Sequence, residues 1–372
     1  MNDKPSTERY IGLMSGTSAD GVDAALVEID AQQIRLIDFI DTPMPVELKT
    51  RLIDLNQNPQ LSLSDLSKLE FQVAMEFISA TQKLLLQANL SKQDIRAIGS
   101  HGQTVFHAPE IPMSLQIGHP AFIAKQTGID TAADFRIDDL AVGGQGAPLA
   151  PAFHQHLFKT KTTCCVVNIG GIANISYLNP ESGEVYGFDC GPGNALMDEL
   201  CQQEFGCDYD RNGEIAASTE PNANLLKQLL LHPYLHQLFP KSTGRETFHY
   251  QWFAEQAALI DENTTPAEQM ATLNAFTATS IALGIQQLKI APCNIWIVGG
   301  GAFNPTLLNN IQNQLPDFNI RSSEEIDINP NAIEAMMCAW LAHQRIHQQP
   351  VALKSITGSQ RDVTLGGLWL AN

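Results

Sequence analysis

A turn made almost wholly of Gly, Ser, Thr and Asp lies between two apolar runs in residues 11–29, IGLMSGTSADGVDAALVEI. Small residues let backbone N–H groups approach an anion closely, hydroxyls add donors, and carboxylates such as Asp20 and Asp23 can hold a cation. The pattern predicts a phosphate-binding β-hairpin, although an ordinary tight hairpin has a similar composition. The residues predicted to approach the phosphate are Ser15, Gly16, Thr17, Ser18 and Gly21.

A carboxylate ends a short apolar run in FDCGPGN, residues 188–194. The Gly-Pro-Gly sequence that follows forces an abrupt turn, and a helix is predicted after it. A side chain held at the end of a strand in this way can overhang a cleft. Asp189 is therefore a candidate general base, with a pKa set by its burial. The alternative is an Asp that caps the helix.

Three consecutive glycines follow an apolar strand in NIWIVGGGAFN, residues 294–304. The pattern resembles part of a Rossmann fingerprint, but Asn304 stands where the third glycine is required, so a nicotinamide oxidoreductase is disfavoured. A P-loop is excluded because the chain contains no GxxxxGK[ST]. A flat base or ribose could still lie on the backbone of Gly299, Gly300 and Gly301.

Polar side chains in two further motifs, SHGQTVFH and DFRIDD, could contact a substrate. His101 and Gln103 end a predicted strand, where the alternative is a buried histidine with internal partners. Arg136 and Asp138 could form an ion pair that frames a ligand or one that is only structural. No zinc-ligand spacing joins the histidines at 101, 107, 154 and 156.

A basic turn, PKSTGRETF at 240–248, is unusual in a chain with a formal net charge of −18. It could contact an anion or form an ordinary solvated loop. The residues packed into this turn are Lys241, Ser242, Thr243, Gly244 and Arg245.

The elements that would position these residues alternate between strand and helix patterns, which predicts an α/β fold. Apolar spacing predicts a helix that begins near Ser62. Thr265 and Glu268 have the spacing of a capping box at the start of a long helix. Another helix is predicted from 330 to about 346, behind Asn329 as its cap.

A second hairpin in KTTCCVVNIGGIANISYL, residues 161–178, repeats the design of the first and indicates an internal duplication. GGQGAP at 143–148 cannot form a helix or a central strand, because of its glycines and proline. This predicts two domains, 1–142 and 143–372. Whether the C-terminal segment TLGGLWL returns to the first domain stays open.

Composition limits the class of protein. A chain of 372 residues can form two domains, each with its own core. No apolar run approaches a membrane span and MNDKPSTERY lacks the core of a secretory signal, which predicts a cytoplasmic protein. Seven cysteines without a paired zinc spacing predict reduced thiols. The net charge of −18 argues against nucleic-acid or anionic-membrane partners, because like charges repel.

Seven motifs taken together resemble the anhydro-N-acetylmuramic acid kinases, in that family's order and over nearly the whole chain. They are GLMSGTSADGVD, SHGQTVFH, ADFRIDDLAVGGQGAPL, NIGGIAN, GFDCGPGN, PKSTGRETF and VGGGAFN. The resemblance implies the ribonuclease H-like fold of actin, hexokinase and the chaperone ATPases. In that fold two related α/β domains close over a nucleotide cleft.

The resemblance also implies a reaction. ATP, water and 1,6-anhydro-N-acetylmuramic acid would give ADP and N-acetylmuramic acid 6-phosphate, in the recycling of cell-wall peptidoglycan. Asp189 would activate water for attack on the anomeric carbon, and the departing ring oxygen would attack the γ-phosphate. Mg²⁺ and backbone donors would neutralise the charge that develops on the phosphates.

Binding roles follow from the same resemblance. ATP phosphates would lie against the two glycine turns and adenosine near the triple glycine, with Asp20 as a metal ligand. The implied nucleotide-binding residues are Gly16, Thr17, Ser18, Ala19, Asp20, Gly21, Val22, Asp23, Gly170, Gly171, Asn174, Gly299, Gly300 and Gly301. The implied substrate contacts are Ser15, His101, Arg136 and Glu334. A homodimer is left open.

The chain departs from the family pattern at two positions. Cys190 replaces a more usual Thr, and Ala19 replaces a larger apolar residue. Neither change removes a reacting group, but Cys190 could alter the hydrogen bonds that orient Asp189. Two other functions stay open from the sequence: a kinase of the same fold for another sugar or hydroxy acid, and a non-catalytic, nucleotide-gated binding module.

Overall fold

The computed structural model describes residues 7–16, 18–158, 162–239, 241–244, 247–260 and 263–372. The strands are β1 (Glu8–Ser15), β2 (Gly21–Ile29), β3 (Ile34–Pro43), β4 (Ala97–Ala108), β5 (Met113–Ile117), β6 (Thr131–Ala133), β7 (Cys164–Ile169), β8 (Ile172–Asn179), β9 (Glu184–Pro192), β10 (Asn294–Val298), β11 (Asn319–Ser322) and β12 (Gly367–Trp369). The α-helices are α1 (Val46–Gln57), α2 (Leu63–Gln87), α3 (Pro120–Thr127), α4 (Ile137–Ala141), α5 (Ala150–Phe158), α6 (Ala195–Leu200), α7 (Glu214–Ala217), α8 (Ala223–Leu229), α9 (Tyr250–Ala258), α10 (Pro266–Gln287), α11 (Pro305–Gln314), α12 (Ile333–Ile346) and α13 (Lys354–Thr357).

The chain divides into two compact units. Unit 1 comprises Met1–Lys159 together with Ala332–Asn372, and unit 2 comprises Thr160–Asn331. The boundary therefore lies after residue 159 rather than after the predicted residue 142. The C-terminal segment belongs to unit 1, where β12 pairs with β6. This answers the question that the sequence left open.

The glycine-rich stretch that predicted the boundary is held inside unit 1. The buried carboxylate of Asp139 accepts hydrogen bonds from Gly146 N at 2.7 Å and from the Thr357 hydroxyl at 2.7 Å. Gln360 N donates to Val142 O at 3.0 Å. The stretch is thus tied to both α4 and the C-terminal segment. Its composition reflects a tight loop packed on a carboxylate, not a link between domains.

The sheet of unit 1 has the strand order β12-β6-β4-β1-β2-β3, with β5 attached to β4. Strands β1, β2 and β3 form an antiparallel meander. Strand β4 is parallel to β1, and β6 is parallel to β4. Apolar residues from this sheet and from α2 form the core of the unit, among them Ile11, Leu26, Phe77 and Ile98.

The sheet of unit 2 repeats this plan. Its order is β11-β10-β7-β8-β9, with β7, β8 and β9 as the antiparallel meander. Strands β10 and β11 are parallel to β7 in the places that β4 and β6 occupy in unit 1. The predicted α/β fold is confirmed. The matching order and direction of five strands is the structural counterpart of the internal duplication that the two hairpins indicated.

Helix α12 packs directly on the strands of unit 1. A Cβ on Gly12 would lie 1.7 Å from Ala335 O, and a Cβ on Gly99 would lie 1.9 Å from Cys338 O. Only glycine on β1 and β4 permits this close approach of helix and sheet. The contact fixes the start of α12, and therefore Glu334, near the ends of β1 and β2.

Three helix starts were predicted, one from apolar spacing and two from capping patterns. Helix α2 begins after Ser62, whose side chain accepts from Asp65 N. Helix α10 begins at Pro266 behind the capping box of Thr265 and Glu268, in which both reciprocal bonds are present. The predicted helix from residue 330 begins instead with a 3₁₀ turn at Pro330–Ala332, and α12 follows it. None of the helices in the described part of the chain combines the length and apolar character needed to cross a lipid bilayer.

Candidate active site

The first hairpin turn of unit 1 is anchored by a buried polar pair. Ser15 Oγ lies 2.7 Å from Gln103 Oε1 and 2.8 Å from Gly21 O, and Gln103 Nε2 donates to Gly16 O at 3.0 Å. Ser15 and Gln103 are buried. These bonds fix both ends of the turn, so the buried Ser15 side chain stabilises the conformation of the loop. Gln103, on β4, stabilises the loop in the same way.

The remaining predicted phosphate residues of this turn differ in what they present. Ala19 N donates to Gly16 O at 3.0 Å, which closes the turn. The side chains of Ala19 and Val22 are fully buried, so only their backbone groups can meet a ligand. Ser18 and Gly21 are half-buried. Thr17, also predicted to bind phosphate, lies outside the described residues.

Three carboxylates gather beside the turn. Asp23 on β2 is paired with Asp41 on β3, so the two side chains share one face of the sheet. Burial, followed by repulsion from Asp41, Glu334 and Asp20, raises the pKa of Asp23 to about 7. Burial and Asp20 also raise the pKa of Asp41. Asp20 itself forms a 2.6 Å ion pair with Lys49. A bound cation would relieve this repulsion, so Asp23 and Asp41 are candidate ligands beside the predicted Asp20.

His101 is buried and uses both ring nitrogens inside the protein. Its Nδ1 lies 3.0 Å from Gly102 O, which must accept, and its Nε2 accepts from Arg136 Nε at 3.0 Å. This bonding requires a neutral ring protonated on Nδ1. Burial, followed by the positive charge of Arg136, lowers the pKa of His101 to about 3. His101 therefore positions Arg136, and its predicted direct contact with substrate stays a prediction.

Arg136 is the positively charged side chain next to His101. Its Nη1 donates to Gly146 O at 2.8 Å, and the residue is partly exposed. Burial lowers the pKa of Arg136, whereas the neighbouring carboxylate of Glu334 raises it. The predicted pairing of Arg136 with Asp138 is not observed, because Asp138 accepts from Gly366 N at 2.7 Å. The structure thus brings Arg136 together with His101 and Glu334.

The second glycine turn, in unit 2, is joined to the start of α6. Gly170 O accepts from Asn194 N at 2.7 Å, and Gly171 O accepts from Gly193 N at 2.9 Å. The side chain of Asn194 also donates to Ile169 O at 3.1 Å. The sequences NIGGIAN and FDCGPGN, which are separated in the chain, therefore form one substructure.

A row of polar residues crosses the meander of unit 2 at this turn. Asn168 on β7 is paired with Asn174 on β8, and Asn174 is paired with Asp189 on β9. Paired residues of neighbouring strands share a face, so the two amides and the carboxylate lie side by side. Asn174 and Asp189 occupy the strand places that Asp23 and Asp41 occupy in unit 1. Asn168 belongs to the NIGGIAN motif but was not predicted as a site residue.

Asp189 is held by the basic turn, whose role the sequence left open. Thr243 N donates to Asp189 Oδ2 at 2.9 Å, and Asp189 N donates to Lys241 O at 3.2 Å. The side chain of Asp189 is partly exposed. The carboxylate is thus oriented by a backbone donor and keeps access to solvent. Arg245, from the same turn, lies outside the described residues.

Tyr234 and Lys241 complete the surroundings of Asp189. Tyr234 donates its hydroxyl proton to Asp189 O at 2.7 Å, and Lys241 Nζ lies 4.9 Å from the centre of the Tyr234 ring. Burial lowers the pKa of Lys241, and the negative charge of Asp189 opposes that shift. The buried Cys190 thiol donates to Ala173 O at 3.2 Å. This thiol therefore bonds to β8, while the N–H of Thr243 orients the Asp189 carboxylate.

The three glycines after β10 have different reasons to be small. A Cβ on Gly299 would lie 2.4 Å from Asn168 Oδ1, and a Cβ on Gly301 would lie 2.4 Å from Ile169 Cγ2. These two glycines permit close packing against the end of β7. Gly300 is exposed, and a Cβ there would meet no atom closer than 3.5 Å. Of the three, Gly300 offers the open backbone on which a ligand could lie.

Comparison with known proteins decides the family. The family model described as anhydro-N-acetylmuramic acid kinase matches residues 8–371. The chain belongs to the anhydro-N-acetylmuramic acid kinase family. It is 50% identical over 365 residues to the anhydro-N-acetylmuramic acid kinase of Hydrogenovibrio crunogenus, covering 98% of this chain and 99% of that protein. It is 44% identical over 366 residues to the enzyme of that name from Vibrio vulnificus strain CMCP6, covering 97% and 98%.

A solved structure with a similar chain trace is the activator of the 2-hydroxyisocaproyl-CoA dehydratase from Clostridium difficile with bound ADPNP. It is 12% identical, has a TM-score of 0.48, and the match covers 89% of this chain and 92% of that one. The family that the seven motifs predicted is confirmed by the sequence match. The individual nucleotide, substrate and metal contacts stay predictions.

Proposed function

We propose that this protein is an ATP-dependent kinase that opens the 1,6-anhydro ring of anhydro-N-acetylmuramic acid with water and transfers the γ-phosphoryl group to the freed oxygen. The products would be ADP and N-acetylmuramic acid 6-phosphate. Membership of the anhydro-N-acetylmuramic acid kinase family supports the reaction class. The observation that carries the mechanism is a partly exposed carboxylate, Asp189, held in place by the N–H of Thr243.

Asp189 is assigned as the general base. It would take a proton from a water molecule as the water oxygen forms a bond to the anomeric carbon C1. The bond from C1 to O6 breaks, and O6 forms a bond to the γ-phosphorus as the bond to the β,γ-bridging oxygen breaks. The backbone of Asp189 is also held, because its N–H donates to Lys241 O and its carbonyl oxygen accepts from the Tyr234 hydroxyl. Such positioning matters because proton transfer needs hydrogen-bond distance to the water.

The two hairpin turns are assigned to the phosphates. In unit 1 the buried Ser15 and Gln103 hold Gly16 and Gly21, the two ends of the first turn, so the backbone donors at these ends need little reorganisation. In unit 2 the turn of Gly170 and Gly171 is fixed by the start of α6. Adenosine would lie on the open backbone of Gly300. These assignments follow the resemblance and the geometry of each unit separately.

Arg136 is assigned to the sugar, with His101 and Glu334 as its supports. The neutral ring of His101 accepts one guanidinium N–H, which leaves other N–H groups of Arg136 to donate to a carboxylate or hydroxyl. Muramic acid carries a lactyl carboxylate, which suits a partly exposed arginine. His101 acts through Arg136.

Mg²⁺ is the expected metal, and the carboxylates beside the first turn suit it. Asp23 and Asp41, with Asp20 nearby, would hold the ion through oxygen ligands, which Mg²⁺ prefers. Their mutual repulsion, seen in the raised pKa of Asp23, is relieved by a cation. When bound, Mg²⁺ neutralises the charge that develops on the transferring phosphoryl group.

An assay of ADP release tests the substrate. Anhydro-N-acetylmuramic acid should support turnover with one ADP formed for each N-acetylmuramic acid 6-phosphate, whereas N-acetylmuramic acid and glucose should not. Mass spectrometry of the sugar product checks that one water and one phosphoryl group have been added. Faster turnover of ordinary N-acetylmuramic acid would show that the protein is a kinase for open sugars, and the coupled ring opening would be wrong.

A further inference from the structure

A cluster of metal-ligand side chains lies in unit 1, away from the residues described above. Glu8 is the first residue of β1, His343 lies in the last turn of α12, and His347 is the C-cap that follows it. One ligand atom from each of the three side chains lies within 4.8 Å of the others. No local sequence pattern indicates this group, because Glu8 is more than 300 positions from the two histidines.

The helix and the sheet bring the cluster together. His343 and His347 are four residues apart, so they lie on one face of α12. Their ring centres are 4.5 Å apart, and His347 Nε2 lies 2.7 Å from Glu8 Oε2. Two histidines with this spacing on a helix and one carboxylate are a recurrent donor set for zinc and related ions.

Neighbouring groups orient these ligands. His343 Nδ1 lies 3.2 Å from Gln344 Oε1, an acceptor, so Nδ1 carries the proton and Nε2 keeps its lone pair. Tyr10 donates its hydroxyl proton to Glu8 Oε2 at 2.5 Å. Hydrogen bonds of this kind to histidine and carboxylate ligands are typical of metal sites. A groove of about 480 Å³, lined by all three side chains, leaves room for water as a further ligand.

We propose that Glu8, His343 and His347 bind one divalent transition-metal ion of the zinc type. The ion would be coordinated by two imidazole nitrogens, one carboxylate oxygen and water. It would tie the first strand of unit 1 to its last long helix. Bound zinc would displace the proton that Glu8 and His347 now share, and the side chains would turn inward to reach bonding distance.

The position separates this ion from the kinase reaction. Helix α12 runs antiparallel to β1, since its start lies near Gly12 and its end lies near Glu8. The cluster is therefore at the opposite end of both elements from Ser15 and Glu334. Along β1 alone the separation is roughly 23 Å, from the rise per residue of a strand. Because of this distance, we assign a structural role to the bound ion.

The surroundings of two of the three side chains lower their pKa values, which favours the forms that bind a metal. Burial lowers the pKa of His343, and the hydrogen bond to Gln344 only partly opposes this shift. Burial alone would raise the pKa of Glu8, but its hydrogen bonds with Tyr10 and His347 lower it. Arg96 also faces Glu8, at 3.9 Å. Neutral histidine and ionised carboxylate are the forms that bind zinc.

Calorimetric titration of the full chain with ZnCl₂, after treatment with EDTA and its removal, tests the proposal. Wild-type protein should bind one zinc per chain. His343→Ala and His347→Ala should each weaken binding by more than about tenfold, because even partners outside the coordination shell have effects of that size. His236→Ala, which removes an exposed histidine in unit 2, is the matched control and should bind zinc as wild type does.

A second measurement needs no variant. Co²⁺ added to the wild-type chain should give the visible d–d absorption of a low-symmetry site with nitrogen and oxygen ligands, and zinc should abolish it. Saturable zinc binding lost in both histidine variants and kept in the control supports the site. Absence of the cobalt spectrum, absence of saturable zinc binding, or unchanged binding in His343→Ala and His347→Ala would each overturn it.

Discussion

Asp23 shows, at the scale of one residue, the electrostatic strain at the proposed cation site. It faces Asp41 across β2 and β3, and its pKa is raised to about 7. The folded protein therefore binds a proton here more readily than the unfolded chain does. The stabilising effect of this proton is lost as the pH rises from about 4 to about 7.

Asp23→Asn should therefore stabilise the metal-free protein at about pH 8 by roughly 1–3 kcal/mol, because each pKa unit is worth about 1.4 kcal/mol. At about pH 4 the two proteins should be nearly equal. Urea unfolding in EDTA measures both values. Addition of MgCl₂ at the higher pH should stabilise the wild type and not the variant. A variant less stable than wild type at high pH would contradict this account of the carboxylates.

His101 has the opposite linkage. Its pKa is about 3 in the folded protein, against about 6.5 in an unfolded chain. Between these values the unfolded state binds a proton that the folded state does not, so stability falls as the pH falls. His101→Gln should remove up to about 1.4 kcal/mol of this dependence per pH unit. Urea unfolding between about pH 6 and 4 measures the slope.

The control for this slope is His236→Gln, which changes an exposed histidine in unit 2. Its pH dependence should match that of wild type. If His101→Gln also kept the wild-type slope, the ring would be protonated in the folded protein. The acceptor role that we assign to Nε2 toward Arg136 would then be wrong.

At this scale the sequence indicated which polar residues to select, but not the hydrogen-bond partner of each side chain. It selected His101, Arg136 and Asp138, but it could not show that Arg136 bonds to His101 while Asp138 bonds to the distant Gly366. It singled out the basic turn without joining it to Asp189. Such contacts span 35 to 228 positions, and no local pattern encodes which of several possible partners a side chain meets.

Among the elements, α12 lies in very close contact with its sheet. Gly99→Ala would place a methyl group 1.9 Å from the backbone oxygen of Cys338, so the helix would have to move. We expect a loss of more than about 2 kcal/mol in the free energy of unfolding, as for other overpacked cores. Chemical denaturation measures it. Gly300→Ala, where the nearest atom is 3.5 Å away, is the control and should be close to neutral.

A stability of Gly99→Ala equal to that of wild type would show that α12 does not lie this close to β4. The prediction is specific to backbone contact, because a flexible side chain could move aside at small cost. A large loss in the free energy of unfolding of the control, Gly300→Ala, would mean that the turn after β10 is more tightly packed than the structure indicates.

Helices were predicted well where residues close together in the sequence determine them. The capping box of Thr265 and Glu268 and the apolar face of α2 are both observed. The return of α12 to unit 1 could not be predicted. It depends on the fit of Gly12 and Gly99 under a helix more than 200 residues later, and an isolated glycine in a strand can equally mark a bulge or a bend.

For the whole molecule, the division of the chain has a consequence for folding. Unit 2 is the continuous segment Thr160–Asn331, whereas unit 1 is completed only by Ala332–Asn372. A fragment of residues 160–331 should fold alone, with cooperative unfolding and a dispersed NMR spectrum. A fragment of residues 1–159 should not, because it lacks α12 over β1 and β4.

The matched control joins residues 1–159 to 332–372 through a Gly/Ser linker, and this chimera should regain cooperative unfolding. A well-folded fragment of residues 1–159 would show that α12 is dispensable for the core of unit 1. The two glycine-turn hairpins suggested the repeated strand order of the two sheets. The sequence did not indicate the correct position of the boundary between unit 1 and unit 2. The loop at 143–148 has the composition of a linker and the contacts of a core loop.

The central claim is that the carboxylate of Asp189 activates water for ring opening coupled to phosphoryl transfer. The most direct test is the kcat of Asp189→Asn with anhydro-N-acetylmuramic acid and ATP, beside the Kd for ATP from calorimetry. Glu184→Gln, an exposed acid on the same strand, is the control. We predict a fall in kcat of about 10²–10⁴-fold for Asp189→Asn with the Kd for ATP unchanged. Turnover near the wild-type rate, in a folded variant that binds ATP, would contradict the account.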